Sequence, residues 1–171
     1  MPARLDIRYL IVYLHGMDTN TSPLFAVVAR DCISRKARMV DRRITRAYDK
    51  ALRPVDLRIT QFTLLVAIGY GAPGSISELA EWLAMERTTL TRNLKLLEKE
   101  GLIATRGGAH HKSRAIELTQ AGQDRAERAY PLWQAVQSEV RELLGDEQWQ
   151  QSHTMLMRLS TIDHEDVTAQ Q

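Results

Sequence analysis

This 171-residue chain is short of the features that usually announce chemistry. It has one cysteine, Cys32, so no internal disulfide can form, and that scarcity fits a reducing compartment. His15, His110, His111, His153 and His164 share no ligand-like spacing with Cys32 or with one another, which leaves no metal site to argue for. There is no nucleophile motif, no phosphate-cradling glycine loop and no paired-carboxylate pattern, so neither an enzyme nor a bound cofactor is expected. No apolar run approaches the ~20 residues of a membrane span. The opening "MPARLDIRYLIVYLHG" has a short apolar block. Asp6 interrupts it and no small-residue cleavage site follows, so it does not read as a secretory signal. Translation beginning at Met17 and a cytoplasmic location are the corresponding expectations.

What is present is unevenly placed charge. The formal net charge is only +2, yet Arg30 to Arg53 holds nine Lys/Arg against three Asp. Arg87 to Arg114 holds seven against two Glu, whereas from Glu139 onward seven acids meet only Arg141 and Arg158. This segregation suits a polyanion-binding lobe joined to an assembly lobe.

Hydrophobic spacing divides the chain into helices with one hairpin. Ser22 and Pro23 are a natural N-cap and first helical residue, and Ile33, Ala37, Val40, Ile44, Ala47, Tyr48 and Ala51 continue one long helix until Pro54. "RITQFTLLVAIG", 58–69, is a second helix ended by "YGAPG". In "SISELAEWL", Ser75 and Glu78 form a capping-box pattern above a stripe of Ile76, Leu79, Ala80 and Leu83. A short break at Ala84–Met85 leads to "ERTTLTRNLKLLEKEG", where Leu90, Leu94 and Leu97 mark the buried side and Gly101 the stop. "LIATR" and "RAIEL" read as strands joined by the glycine-led "GGAHHKS". Thr119 caps a further helix that Pro131 should kink, and a last helix runs from about Asp146 to Ile162. Tyr130, Trp133, Trp149, Met155 and Met157 could line an effector pocket, but such a stripe is more often dimer core and reads as that here.

Helix, tight turn, helix and hairpin together predict a winged helix-turn-helix within a mainly α (α+β) fold. The second helix of such a unit enters the major groove. Its outward side here carries Arg87, Thr88, Thr89, Thr91, Arg92 and Lys95, with Glu98 and Glu100 set back. Arg92 and Lys95 can donate to guanine or phosphate, while the threonines can meet phosphate oxygens or thymine methyls. His110, His111, Lys112 and Arg114 supply a basic wing. A winged helix used for protein contacts without operator binding is the alternative.

The stretch "SISELAEWLAMERTTLTRNLKLLEKEGLIATRGGAHHKSRAIELTQAG" resembles the winged-helix core of the MarR family of bacterial transcription regulators. "TTLTRNLKxLExxGLI" and the closing "xLTxxG" carry the likeness, which extends over about Pro23 to Ile162. It implies a homodimer with a double-stranded, pseudo-palindromic DNA operator, acting as a repressor released by a small, often phenolic, effector. Residues 22–57 and 119–162 would form a helical dimerisation lobe and 58–118 the DNA-binding lobe. Residues 1–21 would be an N-terminal extension and 163–171 a frayed tail.

The wing departs from the family pattern. Where Asp-x-Arg is usual, His110-His111-Lys112 stands, so the wing is either looser or pH-sensitive, unless the histidines are plain loop residues. Cys32 lies near the reactive cysteine of peroxide-sensing relatives, although that position aligns better with Ser34 and Lys36 stands one turn on. Redox sensing through Cys32 and a structural role both stay open.

Overall fold

The computed structural model describes residues 22–71, 75–107 and 114–162. The sequence expectations for residues 1–21, the wing tip 108–113 and the tail 163–171 lie outside them. Two compact units divide the chain, Met1–Arg46 and Ala47–Gln171.

The first unit holds α1 (Pro23–Asp31) and the start of α2 (Ile33–Leu52). Pro23 opens α1 as expected, but Ser22 caps by position alone: its carbonyl accepts from Phe25 and Ala26, and its side chain makes no cap bond. The single long helix expected over this region is broken. Cys32 takes an extended conformation (φ −62°, ψ 108°) and ends α1. Arg35 satisfies a carbonyl that the break frees, its guanidinium donating to Ala29 O at 2.6 Å. No residue of α1 is buried, and Leu24, Phe25, Val27, Val28, Ile33, Val40 and Ile44 are all exposed.

The second unit has a real interior. After α2 and a 3₁₀ turn (Arg53–Val55) come α3 (Ile59–Gly69), α4 (Ile76–Trp82), α5 (Arg87–Lys99), β1 (Ile103–Gly107), β2 (Arg114–Leu118) and α6 (Gln120–Leu159). Leu52, Leu64, Leu65, Leu79, Leu90, Leu97 and Leu102 are its largest fully buried side chains, one or more from each of α2, α3, α4 and α5. Trp133 of α6 packs on this core with its ring 6.4 Å from Phe62.

Polar groups fix the joints. Asp49 accepts the Ile59 N–H at 2.8 Å and so caps α3 from the end of α2. Arg125 of α6 donates to Val55 O at 3.0 Å. The backbone stays helical through Pro131, and the interruption falls at Gly145 (φ 75°, ψ 162°), where α6 divides into two helical segments. The expected start of a last helix near Asp146 matches that break.

Candidate nucleic-acid interface

α4 and α5 form the helix-turn-helix. Ser75 Oγ accepts the Glu78 N–H at 3.2 Å to start α4, which ends with Ala84 in the left-handed region (φ 48°). Met85 N–H reaches back to Ala80 O at 2.8 Å and Ala84 N–H to Glu81 O at 3.0 Å, closing the helix as a Schellman turn. α5 ends in the same way: Leu102 N–H bonds Leu97 O at 2.9 Å and Gly101 N–H bonds Glu98 O at 3.0 Å, with Gly101 at φ 70°. These two closures set where α5 begins and ends. Its bounds, Arg87–Lys99, fall within one residue of the expected recognition helix.

Between them α5 buries Leu90, Leu94 and Leu97, so the opposite face is turned out. Arg87, Thr88, Thr91, Arg92 and Lys95 line one open depression there. Arg87, Thr88, Thr89, Arg92 and Lys95 are exposed, and Thr91 is half-buried. Among the described residues Arg87, Arg92 and Lys95 have no ion-pair partner, so their charges are available to a ligand. Thr91 is already engaged: its hydroxyl donates to Arg87 O at 2.8 Å within the helix. That leaves its methyl and an acceptor oxygen, which suit a thymine methyl better than a phosphate. Asn93 is similarly turned back, its amide donating to Thr89 O at 2.9 Å.

The hairpin follows at once. β1 and β2 are antiparallel with Ile103 opposite Leu118 and Gly107 opposite Arg114. Arg114 thus stands at the start of β2, at the end of the ladder nearest the wing tip. His110, His111 and Lys112 lie outside the described residues.

One group at the base of the hairpin does more than the helix cap its sequence position predicts. Thr119 Oγ1 accepts the Gly122 N–H at 3.0 Å, the expected cap of α6, and also donates to Gly101 O at 2.6 Å. Thr119 N–H bonds Leu102 O at 3.1 Å. The bond to Gly101 joins residues 18 apart in sequence, beyond the reach of any local pattern.

Cys32 is a free, half-buried thiol at the break between α1 and α2. No group of His, Cys, Asp or Glu among the described residues could hold a metal ion. None of the described helices is long and apolar enough to cross a membrane.

This arrangement has clear relatives. The model of the MarR family matches residues 55–112. An uncharacterized HTH-type transcriptional regulator of Bacillus cereus is 34% identical over 113 residues, covering 66% of this chain and 74% of the relative. The chain belongs to the MarR family. Among solved structures, the M. tuberculosis transcriptional regulator MosR in complex with DNA is 38% identical, with a TM-score of 0.70 over 76% of this chain and 94% of that one. The transcriptional repressor CouR, bound to p-coumaroyl-CoA, shares the fold at 21% identity, with a TM-score of 0.72 over 80% of this chain and 96% of that one. The MarR-family assignment makes this chain a winged-helix transcription regulator and not an enzyme.

Proposed function

We propose that this MarR-family regulator binds a pseudo-palindromic double-stranded DNA operator as a homodimer in the cytoplasm and represses transcription until a small-molecule effector releases it. The observation that carries the DNA-binding part is the outward face of α5. Arg87, Arg92 and Lys95 border one depression beside Thr88 and Thr91, none of the three cations neutralised within the described chain. Arg92 and Lys95 are the residues to reach base edges, and Arg87 with Thr88 and Thr89 the phosphates. His110, His111, Lys112 and Arg114 are the proposed wing contacts.

Dimerisation is supported by apolar surface that a single chain leaves in water. On one unit this is Leu24, Phe25, Val27, Val28 and Ile33; on the other, Leu143, Met155, Leu156, Met157 and Ile162. A two-fold dimer would set the two recognition helices about one helical turn of DNA apart, roughly 10 bp between half-site centres.

Selection of bound sequences from a random DNA pool tests the reading, followed by gel shifts over a range of salt. A two-fold symmetric site whose affinity falls steeply with salt is expected. Failure to enrich any sequence would overturn operator binding. Repeating the shifts with phenolic compounds and with peroxide separates ligand release from oxidation at Cys32.

A further inference from the structure

The recognition helix is held at its far end by a compact joint made of Gly101, Leu102, Thr119 and Gly122. Four contacts meet there. Thr119 Oγ1 donates to Gly101 O at 2.6 Å, and the same oxygen accepts the Gly122 N–H at 3.0 Å. Thr119 N–H bonds Leu102 O at 3.1 Å. Gly122 is buried so close to that carbonyl that a Cβ on it would lie 1.9 Å from Leu102 O. One hydroxyl therefore uses its donor on the residue that terminates α5 and its acceptor on the first turn of α6.

A cap alone needs only the acceptor. Serine, asparagine and aspartate supply that as well as threonine does. The donor to Gly101 O and the absence of a side chain at residue 122 have a different effect: they leave α5 and the start of α6 little freedom to pivot about the hairpin base. We infer that Thr119 is a positioning residue for DNA recognition, tying the C-terminal end of the recognition helix to α6 so that the Arg92 face is presented at one fixed angle. A displacement of α6 would then be passed to α5 through this joint, giving any event on α6 a direct route to the DNA-reading face. The inference rests on the DNA-binding reading above. It adds a residue that touches no DNA.

The test compares full-length wild type with Thr119→Ser, Thr119→Val and Thr119→Asp. Melting curves set a temperature at which each is folded. Thr119→Ser keeps both hydroxyl roles and should bind selected DNA as wild type does. Thr119→Val loses both and should bind about five- to tenfold more weakly, since of the two bonds it is the one to Gly101 O that bears on binding, worth one net hydrogen bond. Thr119→Asp keeps the cap, which its charge favours at a helix N-terminus, but cannot donate to Gly101 O. It should be weakened like Thr119→Val although its α6 stays capped.

Two readouts separate positioning from mere stability. Plots of log affinity against log salt should run parallel for wild type, Val and Asp, because the number of phosphate contacts is unchanged. Hydrogen exchange at the Gly101 and Leu102 amides should quicken in Val and Asp and not in Ser. Val or Asp binding as wild type at equal folded fraction would overturn the role, as would a Ser variant as weak as Val. An Asp line that converges on wild type at high salt would also overturn it, since the loss would then be charge repulsion. If wild type itself enriches no DNA, the operator-binding reading falls and this role falls with it; if wild type enriches DNA and the variants match it, only the positioning role falls.

Discussion

The two compact units treat their apolar residues in opposite ways. In the second, leucines from α2, α3, α4 and α5 are fully buried around one core. In the first, α1 is nearly as apolar along its length and buries nothing. The first pattern belongs to a piece that can hold itself together. The second is a surface that the described residues leave uncovered, although water is a poor solvent for apolar side chains such as Phe25 and Val28. On the proposed function, the two patterns carry different information: the interior of the second unit would set how α5 is presented, and the exposed helices of the first would be free to specify assembly.

The largest effect that would break this contrast is a cavity in the interior. Leu90 is fully buried on the inner side of α5, so Leu90→Ala should cost about 2–5 kcal/mol of stability by denaturant melting. A change below about 0.5 kcal/mol would show that α5 is not held by its leucine face. Gly122→Ala comes next. With backbone oxygen in the way of the new methyl, overpacking should cost about 1–3 kcal/mol, and α6 must shift for the chain to fold at all. A variant as stable as wild type would mean the Leu102 contact is looser than its geometry implies.

Arg92 probes the outer side of the same helix and should separate cleanly from both. It is exposed and without a partner among the described residues, so Arg92→Ala should leave melting unchanged. Operator binding should weaken by about 1–3 kcal/mol if the guanidinium reads a base. Selection with the variant distinguishes the two kinds of contact. Relaxed preference at one position marks a base contact, whereas uniform weakening with a shallower salt slope moves Arg92 to phosphate.

How much of this was legible in advance follows the same division. Leu90, Leu94 and Leu97 at helical spacing, closed by Gly101, placed α5 to within a residue, and "RAIEL" coincides with β2. The break before Asp146 matches Gly145. These are local signals, carried by periodicity and by residues that stop a helix. The interruption at Cys32 has no such marker, since neither glycine nor proline stands there and Arg35 compensates by reaching Ala29 O, six residues back. The bond made by Asp49 and the second role of Thr119 are equally hidden. Each side chain bonds backbone that only the folded chain brings near, Asp49 to Ile59 and Thr119 to Gly101. On the candidate interface, residue types named the charged face correctly as exposed, but could not show that the Thr91 hydroxyl is spent on its own helix.

Phe25 sharpens the contrast from the other side. It is 67% exposed and lies on a helix with no buried residue, so Phe25→Ser removes little packing among the described residues and should leave the second unit's core intact. If α1 is covered by a second copy, covering the rest of the ring contributes about 1–2 kcal/mol per protomer. The variant should then dissociate at higher concentration than wild type, with a melting temperature that depends more steeply on concentration. Operator affinity should fall in step with the dimer population while the affinity of the assembled dimer stays the same. Sedimentation over a dilution series reads the first quantity and gel shifts at matched dimer concentration the second. An unchanged dissociation constant would show that the apolar face of α1 serves something other than pairing, and the division between a self-sufficient lobe and an assembly lobe would have to be redrawn around the α6 surface alone.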